Sequence, residues 1–230
     1  MTSMSMAESP DCFNAPEGVK RSGISDDTER SCREFARVLA SSAAVPGGGG
    51  AAALTAALGT ALGGMVGALT VGKPRYAASE EALRRLTERC SALREQLLDE
   101  VAADAAGFAP LAGAYRIPKN DPNREAALEQ AAAGACAAPL RMMELCCEAL
   151  RILAVMAEKG SRLAVSDAGC GAALVKGGMQ AAALNVLVNT RTLKDRALAR
   201  TLNSRCLGML EEYERLADEI FESVKKSLFK

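Results

Sequence analysis

Apolar positions recur at helical spacing along nearly the whole chain. Phe35, Val38 and Leu39 open a first amphipathic helix. Between Arg37 and Lys73 no residue is charged, and within that stretch Pro46-Gly47-Gly48-Gly49-Gly50 leads into Ala51-Ala52-Ala53-Leu54. Leu54, Leu58, Leu62, Met65, Val66 and Leu69 then form one stripe, which predicts a helix over 51–70 ended by Gly72 and Pro74. A long helix follows from an N-cap at Ser79, with Glu80 and Glu81 in its first turn and a stripe of Leu83, Leu86, Cys90, Leu93 and Leu97. Residues 117–122 read as a loop, with Asp121 as N-cap and Pro122 at the first helical position. The next helix reaches Lys159, stops at Gly160 and is kinked or split by Pro139. Ser166-Asp167 reads as the N-cap of a nearly uncharged helix over 167–189. The last helix starts near Leu193 and carries Leu198, Leu202, Cys206, Leu210, Tyr213, Leu216 and Ile220 at helical spacing. No alternating strand pattern of useful length occurs. The fold class is all-α: an antiparallel multi-helix bundle of about six to nine helices, with the two Gly/Ala-rich helices central. Residues 1–26 are polar, carry Pro10, Pro16, Gly18 and Gly23, and read as a disordered N-terminal tail before a helical domain over 27–230.

The uncharged helix is long enough to cross a bilayer, which takes about 20 apolar residues. Its content argues against that. Ala and Gly drive insertion weakly, and the other helices have charged faces. Gly59, Gly63 and Gly67 repeat every four residues and would let another helix approach closely. A helix buried on all sides, with no membrane partner, is expected.

Composition removes several chemistries. Lys+Arg and Asp+Glu both number 28, Trp is absent and aromatics make up 3%, which disfavours nucleic acid as a partner. The chain has no His, so the commonest general base and metal ligand is missing. Proton transfer falls to Asp, Glu, Lys, Tyr, Cys or water. The eight cysteines form no C-x-x-C pair and read as small buried residues in a reducing cytoplasm. Cys146-Cys147 is a weak soft-metal signal, and no metal site is expected.

A few polar groups stand where apolar ones belong. Leu83, Cys90 and Leu97 are seven apart, and the next step lands on Asp104, while Leu86, Leu93, Glu100 and Phe108 run alongside. An inward carboxylate must be paired, protonated or facing a cavity, so Asp104 is either a site residue or a bridge to another helix. Asp167 is a helix cap or a second carboxylate of a site. Asn185 and Asn189 share a face of an otherwise apolar helix. Lys73, with Arg75 and Tyr76 beside it, is a C-terminal cation or an anion-binding patch. The glycine run offers backbone N–H groups at a helix N-terminus, a cradle for an anion.

As a set these residues resemble the formiminotetrahydrofolate cyclodeaminase / methenyltetrahydrofolate cyclohydrolase family. The resemblance rests on residues 46–54, on Ala61-Leu62-Gly63-Gly64-Met65-Val66 and on Leu69-Thr70-Val71-Gly72-Lys73 with Tyr76. It continues in Asp104 with Phe108, Ile117-Pro118-Lys119-Asn120, Pro139-Leu140, Ser166-Asp167, Asn185-Val186 with Asn189, and Asp195. It covers roughly residues 31–225. The family usually has Ser where this chain has Gly50. The chain is too short to hold the formiminotransferase domain fused in some members, so a stand-alone cyclodeaminase-type domain is expected.

The resemblance implies chemistry on the one-carbon bridge between N5 and N10 of tetrahydrofolate, without metal or redox cofactor. Both reactions pass through a tetrahedral carbon and need a base and an acid. It implies Asp104 as the first choice for proton transfer and Asp167 as a second catalytic carboxylate or a holder of the pterin. Gly47, Gly48, Gly49, Lys73, Tyr76, Lys119, Asn185 and Asn189 are the implied substrate-binding residues. The implied partners are a folate, including its polyglutamylated form, a second copy in a homodimer, and a separate formiminotransferase. The location implied is the cytoplasm. The alternative is a folate-binding or dimerising helical module without activity.

Overall fold

A computed structural model describes residues 27–229, and the tail at 1–26, Cys12 included, lies outside them. Among the described residues there are seven α-helices and no strand. They are α1 (Cys32–Leu39), α2 (Gly48–Ala68), α3 (Glu80–Arg116), α4 (Arg124–Gly134), α5 (Ala137–Lys159), α6 (Val165–Thr192) and α7 (Arg196–Ser227). Short 3-10 turns at Asp27–Glu29, Pro74–Ser79 and Arg162–Ala164 connect them.

Local chemistry explains most boundaries and corrects several expectations. The glycine run is not a loop: Gly47 is the N-cap and Gly48 to Gly50 are the first turn of α2. Ser79 stands at the N-cap of α3 but makes no side-chain capping bond. Asp121 does not cap α4. Its carboxylate accepts from the Asn123 N–H at 2.8 Å in the loop, and α4 begins at Arg124. The helix expected to reach Lys159 is split, with the break at Ala135-Cys136 and Pro139 in the first turn of α5, where its missing N–H costs nothing. Asp167 is not an N-cap, because α6 starts two residues earlier at Val165 behind Ala164. The carboxylate that does cap a helix is Asp195, which accepts from the N–H groups of Ala197 and Leu198, both at 2.9 Å.

The core is built from the predicted stripes. Leu83, Leu93 and Leu97 of α3 are fully buried, with Met143, Leu150, Leu153 and Met156 of α5. Behind α2 and α6, α5 touches α2, α3, α6 and α7. Arg89 grips Glu148 with two hydrogen bonds of 2.5 and 2.6 Å, joining α3 to α5. Arg151 donates to the Tyr213 hydroxyl at 2.8 Å, joining α5 to α7.

Glycines decide how closely α2 and α6 approach. A Cβ at Gly59 would stand 2.7 Å from the Gly171 carbonyl oxygen, and one at Gly171 would stand 2.7 Å from that of Gly59. Gly178 meets the Ala52 carbonyl at 2.8 Å in the same way. These contacts and the Gly48–Asn185 contact fix an antiparallel pair. Gly63 and Gly67 turn instead toward Leu153, Met156 and α3. The expectation that the helix over 51–70 is buried on all sides is corrected. Leu58 is 55% exposed and Met65 47%, and on α6 Leu184 is 67% and Val188 58%. Among the described residues no element covers that side. Both helices are long and apolar enough to cross a membrane by length and composition, and about half of each apolar window is buried in the bundle.

Candidate active site

The first turn of α2 ends against α3, and the residue it meets is Asp104. The Asp104 carboxyl occupies the space where a Cβ on Gly49 would stand. Only glycine admits it there. At a helix N-terminus the N–H groups lack helical partners and carry partial positive charge. The Gly50 N–H acts on the Asp104 carboxyl and favours its charged form. The anion held by the predicted cradle is therefore the chain's own carboxylate. Burial raises the Asp104 pKa above the usual carboxylate range, and the Gly50 N–H opposes that shift.

Asn185 reaches the same place from α6. A Cβ at Gly48 would lie 3.7 Å from its Nδ2. That Nδ2 donates to the Ala181 carbonyl at 2.8 Å, which leaves Oδ1 as the acceptor offered to a ligand. Asn189, one turn on, donates to the Ala135 carbonyl at 3.1 Å and so satisfies the break between α4 and α5. Gly48, Gly49, Asp104 and Asn185 form one cluster, with Gly47 as the cap beside it and Asn189 one turn deeper. A Cβ at position 50 would point at Pro46 and Val101, 3.1 and 3.5 Å away. The Gly50 departure thus falls on a packed flank.

One to three turns beyond Asp104, an apolar groove of about 640 Å³ lies between α3 and α4, lined by Gly107, Pro110, Ala114 and Ile117 with Ala127, Gln130 and Gly134. Lys119 is exposed in the loop just beyond its far end. At about 1.5 Å per helical residue, the end of α3 lies roughly 18 Å from Asp104.

The remaining predicted residues sit at the opposite end of α2. Lys73 is exposed, and the Tyr76 hydroxyl accepts the Arg162 N–H at 3.3 Å. That bond, first among several effects, pulls the Tyr76 hydroxyl below its ordinary pKa. Asp167 is half-buried in the first turn of α6, near this end. Because α6 runs antiparallel to α2, Asp167 stands about 27 Å along the helix from Asn185. Within one chain, Lys73, Tyr76 and Asp167 do not meet Asp104.

Residues 31–207 match the family model described as formiminotransferase-cyclodeaminase. The chain belongs to this family. This chain is similar to a methenyltetrahydrofolate cyclohydrolase of Methylorubrum extorquens, 39% identical over 83% of this chain and 93% of that one. The formimidoyltransferase-cyclodeaminase of Rattus norvegicus is 33% identical over 86% of this chain, which spans only 37% of that longer protein. The crystal structure of formiminotetrahydrofolate cyclodeaminase from Thermotoga maritima shares the fold, with a TM-score of 0.75 and 27% identity over 87% of this chain and 96% of that one. The family named from the ordered motifs and the all-α fold read from helical spacing both hold.

The sequence pattern does not single out a further carboxylate whose titration is strongly shifted. Glu100, a turn before Asp104, has its pKa raised to about 7, chiefly by burial, then by the charges of Asp99 and Asp104 and against that of Arg141. The available signal was its position beside the stripe, four residues from Asp104. Among the described residues no group of three or more His, Cys, Asp or Glu is arranged to hold a metal. Five described cysteines are buried, and burial pushes the Cys90 thiol up to about 11.

Proposed function

We propose that this chain is a folate one-carbon enzyme that works on the bridge between N5 and N10 of tetrahydrofolate, with 5,10-methenyltetrahydrofolate cyclohydrolase as its leading activity. The observation that carries the reading is Asp104: a carboxylate with a raised pKa, seated on the first turn of α2 in a family whose named members act on folates. The Methylorubrum relative, matched along nearly its whole length, favours the hydrolase. The structural likeness to the Thermotoga cyclodeaminase favours a second reading, release of ammonia from 5-formiminotetrahydrofolate.

In this reading Asp104 takes a proton from the attacking water, or from N10, as the tetrahedral carbon forms. Asn185 Oδ1 and the open N–H groups of Gly48 and Gly49 orient the pterin. The groove between α3 and α4 accepts the flat aminobenzoyl part, and Lys119 at its end meets the glutamate or polyglutamate tail. This chemistry calls on no metal or redox cofactor. A separate formiminotransferase would supply the formimino substrate, and the cytoplasm is the fitting location.

We further propose a homodimer formed through the exposed faces of α2 and α6. Leu58, Met65, Leu69, Leu184 and Val188 form an uncharged patch of a kind that marks interaction surfaces. A two-fold axis across this antiparallel pair would set the Lys73, Tyr76 and Asp167 end of one protomer against the Asp104 end of the other. The residues that fail to meet within one chain would then meet across the interface.

The test is spectrophotometric. Purified protein is given 5,10-methenyltetrahydrofolate and, separately, 5-formiminotetrahydrofolate, and the near-ultraviolet band of the methenyl form is followed. Loss of the band marks the hydrolase and its appearance marks the deaminase. No change with either, and no folate binding, would leave only a structural module.

A further inference from the structure

Both folate reactions need two proton movements, and Asp104 supplies one. On α3 the residues one and two turns before it are Glu100 and Gln96. Spacing of four places Gln96, Glu100 and Asp104 on one face of the helix, with side chains of neighbours about 5–6 Å apart at Cβ. Asp104 at its end meets Gly49 of α2, and the charge of Arg141 on α5 acts on Glu100.

Gln96 carries an independent signal. Its Oε1 is buried, and among the described residues it is the one buried side-chain oxygen or nitrogen without a hydrogen-bond partner. A buried acceptor calls for a donor. An ionised carboxylate can only accept, whereas a protonated one carries an O–H. A Glu100 that keeps its proton carries such an O–H one turn along the same helix.

The charges around Glu100 agree. α2 carries no charged side chain. Asp99 and Asp104 on α3 favour the protonated form. Arg141 on α5 opposes it, but Arg141 is drawn to Glu144 at 3.3 Å, and Glu144 is bound on its other side by Arg205 of α7. With burial the largest effect, Glu100 stands at about 7.

We propose that Glu100 is the acid partner of Asp104, a neutral carboxylic acid held by Gln96 Oε1 that delivers the second proton to the departing nitrogen. This rests on the folate reading given above. In hydrolysis, water bonds to the methenyl carbon and its proton goes to Asp104. The carbon–N5 bond breaks, its electron pair stays on N5, and N5 takes the proton of Glu100. The hydroxyl proton of the new formyl group returns to Glu100, and Asp104 releases its proton to solvent. In deamination, N10 of the protonated formimino substrate bonds to the carbon and its proton goes to Asp104. The carbon–amino bond breaks, and the nitrogen leaves as ammonia with the proton of Glu100. Transfer from Asp104 to Glu100 across one helical turn resets the pair with no proton gained or lost.

The experiment compares wild type, Glu100→Gln, Glu100→Asp and Asp104→Asn in the full chain, with kcat, KM and folate binding measured from pH 5 to 9. Glu100→Gln keeps an N–H for Gln96 and cannot deliver a proton. It is expected to fold, to bind folate with unchanged affinity, and to lose about 10²–10⁴-fold in kcat. Wild-type kcat falls as pH rises through about 7, because ionised Glu100 no longer donates, and Glu100→Gln lacks this limb. Glu100→Asp restores the limb at a lower rate. Wild-type kcat and an unaltered limb in Glu100→Gln would overturn the proposal while leaving the folate reading intact. A wild type that turns over neither folate overturns the reading itself and the proposal with it. An infrared carbonyl band of a protonated carboxyl near pH 6, removed by Glu100→Gln, supports the proton-holding state, and its absence from wild type overturns it.

Discussion

Asp104 acquires its chemistry from a residue with no side chain. Gly49 leaves room for the carboxyl, and the start of α2 gives it partial positive charge to face. Two outcomes follow at this scale. Asp104→Asn keeps the shape and one acceptor oxygen but loses the base, so turnover drops by about 10²–10⁴-fold with folate binding retained. Gly49→Ala drives a methyl into the carboxyl and lowers both activity and thermal stability, which parallel melting and rate measurements would register. Glu100 adds a pH signature. Its ordinary value is 4.5 and its folded value about 7, so folding holds a proton that the unfolded chain releases. Its contribution to stability is intact below 4.5 and is lost as pH rises through about 7. Glu100→Gln should therefore melt higher than wild type above pH 7, and the gap should close toward pH 4.5. Equal melting temperatures at both ends would contradict this. Asp104 was legible because seven-residue spacing carried the buried stripe onto it. Glu100 was not, because its burial depends on α2 and α5 closing over α3, which a one-dimensional pattern does not contain.

At the scale of elements, helix existence and type could be read from spacing, while the ends of helices could not. Asp167 and Asp121 look like caps in sequence and are not, whereas Asp195 is one. Capping depends on where the preceding turn leaves the backbone, and three short 3-10 segments shift that point. The glycine repeat was legible as a close-approach face, but not its partners: Gly59 meets α6, while Gly63 and Gly67 meet α5 and α3. The Gly59–Gly171 crossing is backbone against backbone, so no flexible side chain can give way. Gly59→Ala should cost about 1–3 kcal/mol in denaturant unfolding. Gly113→Ala, with open space around it, should cost nothing and could stabilise α3. Equal effects at the two positions would mean that the crossing does not limit packing.

The whole molecule has two polar ends joined by an apolar face. At one end stand Gly48, Gly49, Asp104, Glu100 and Asn185; at the other, Lys73, Tyr76 and Asp167. Sequence motifs gather all of them except Glu100 into one functional set, and a single chain keeps the two ends apart by about 27 Å. A site shared between two copies resolves that separation, and it makes a demanding prediction. Asp104→Asn and Asp167→Asn should each be inactive alone, because each damages every site of its own homodimer. Mixed after reversible dissociation, about half of the dimers should pair one variant with the other. Each such dimer carries one site with both defects and one with neither, so about a quarter of wild-type activity should return. Full activity of Asp167→Asn alone, or no recovery on mixing, would show that the two ends work separately. Leu58→Glu with Met65→Glu supplies the control. Charge on the exposed face should give monomers in sedimentation and remove activity while helix content stays the same. A monomeric variant that still turned over folate would place the whole site within one chain.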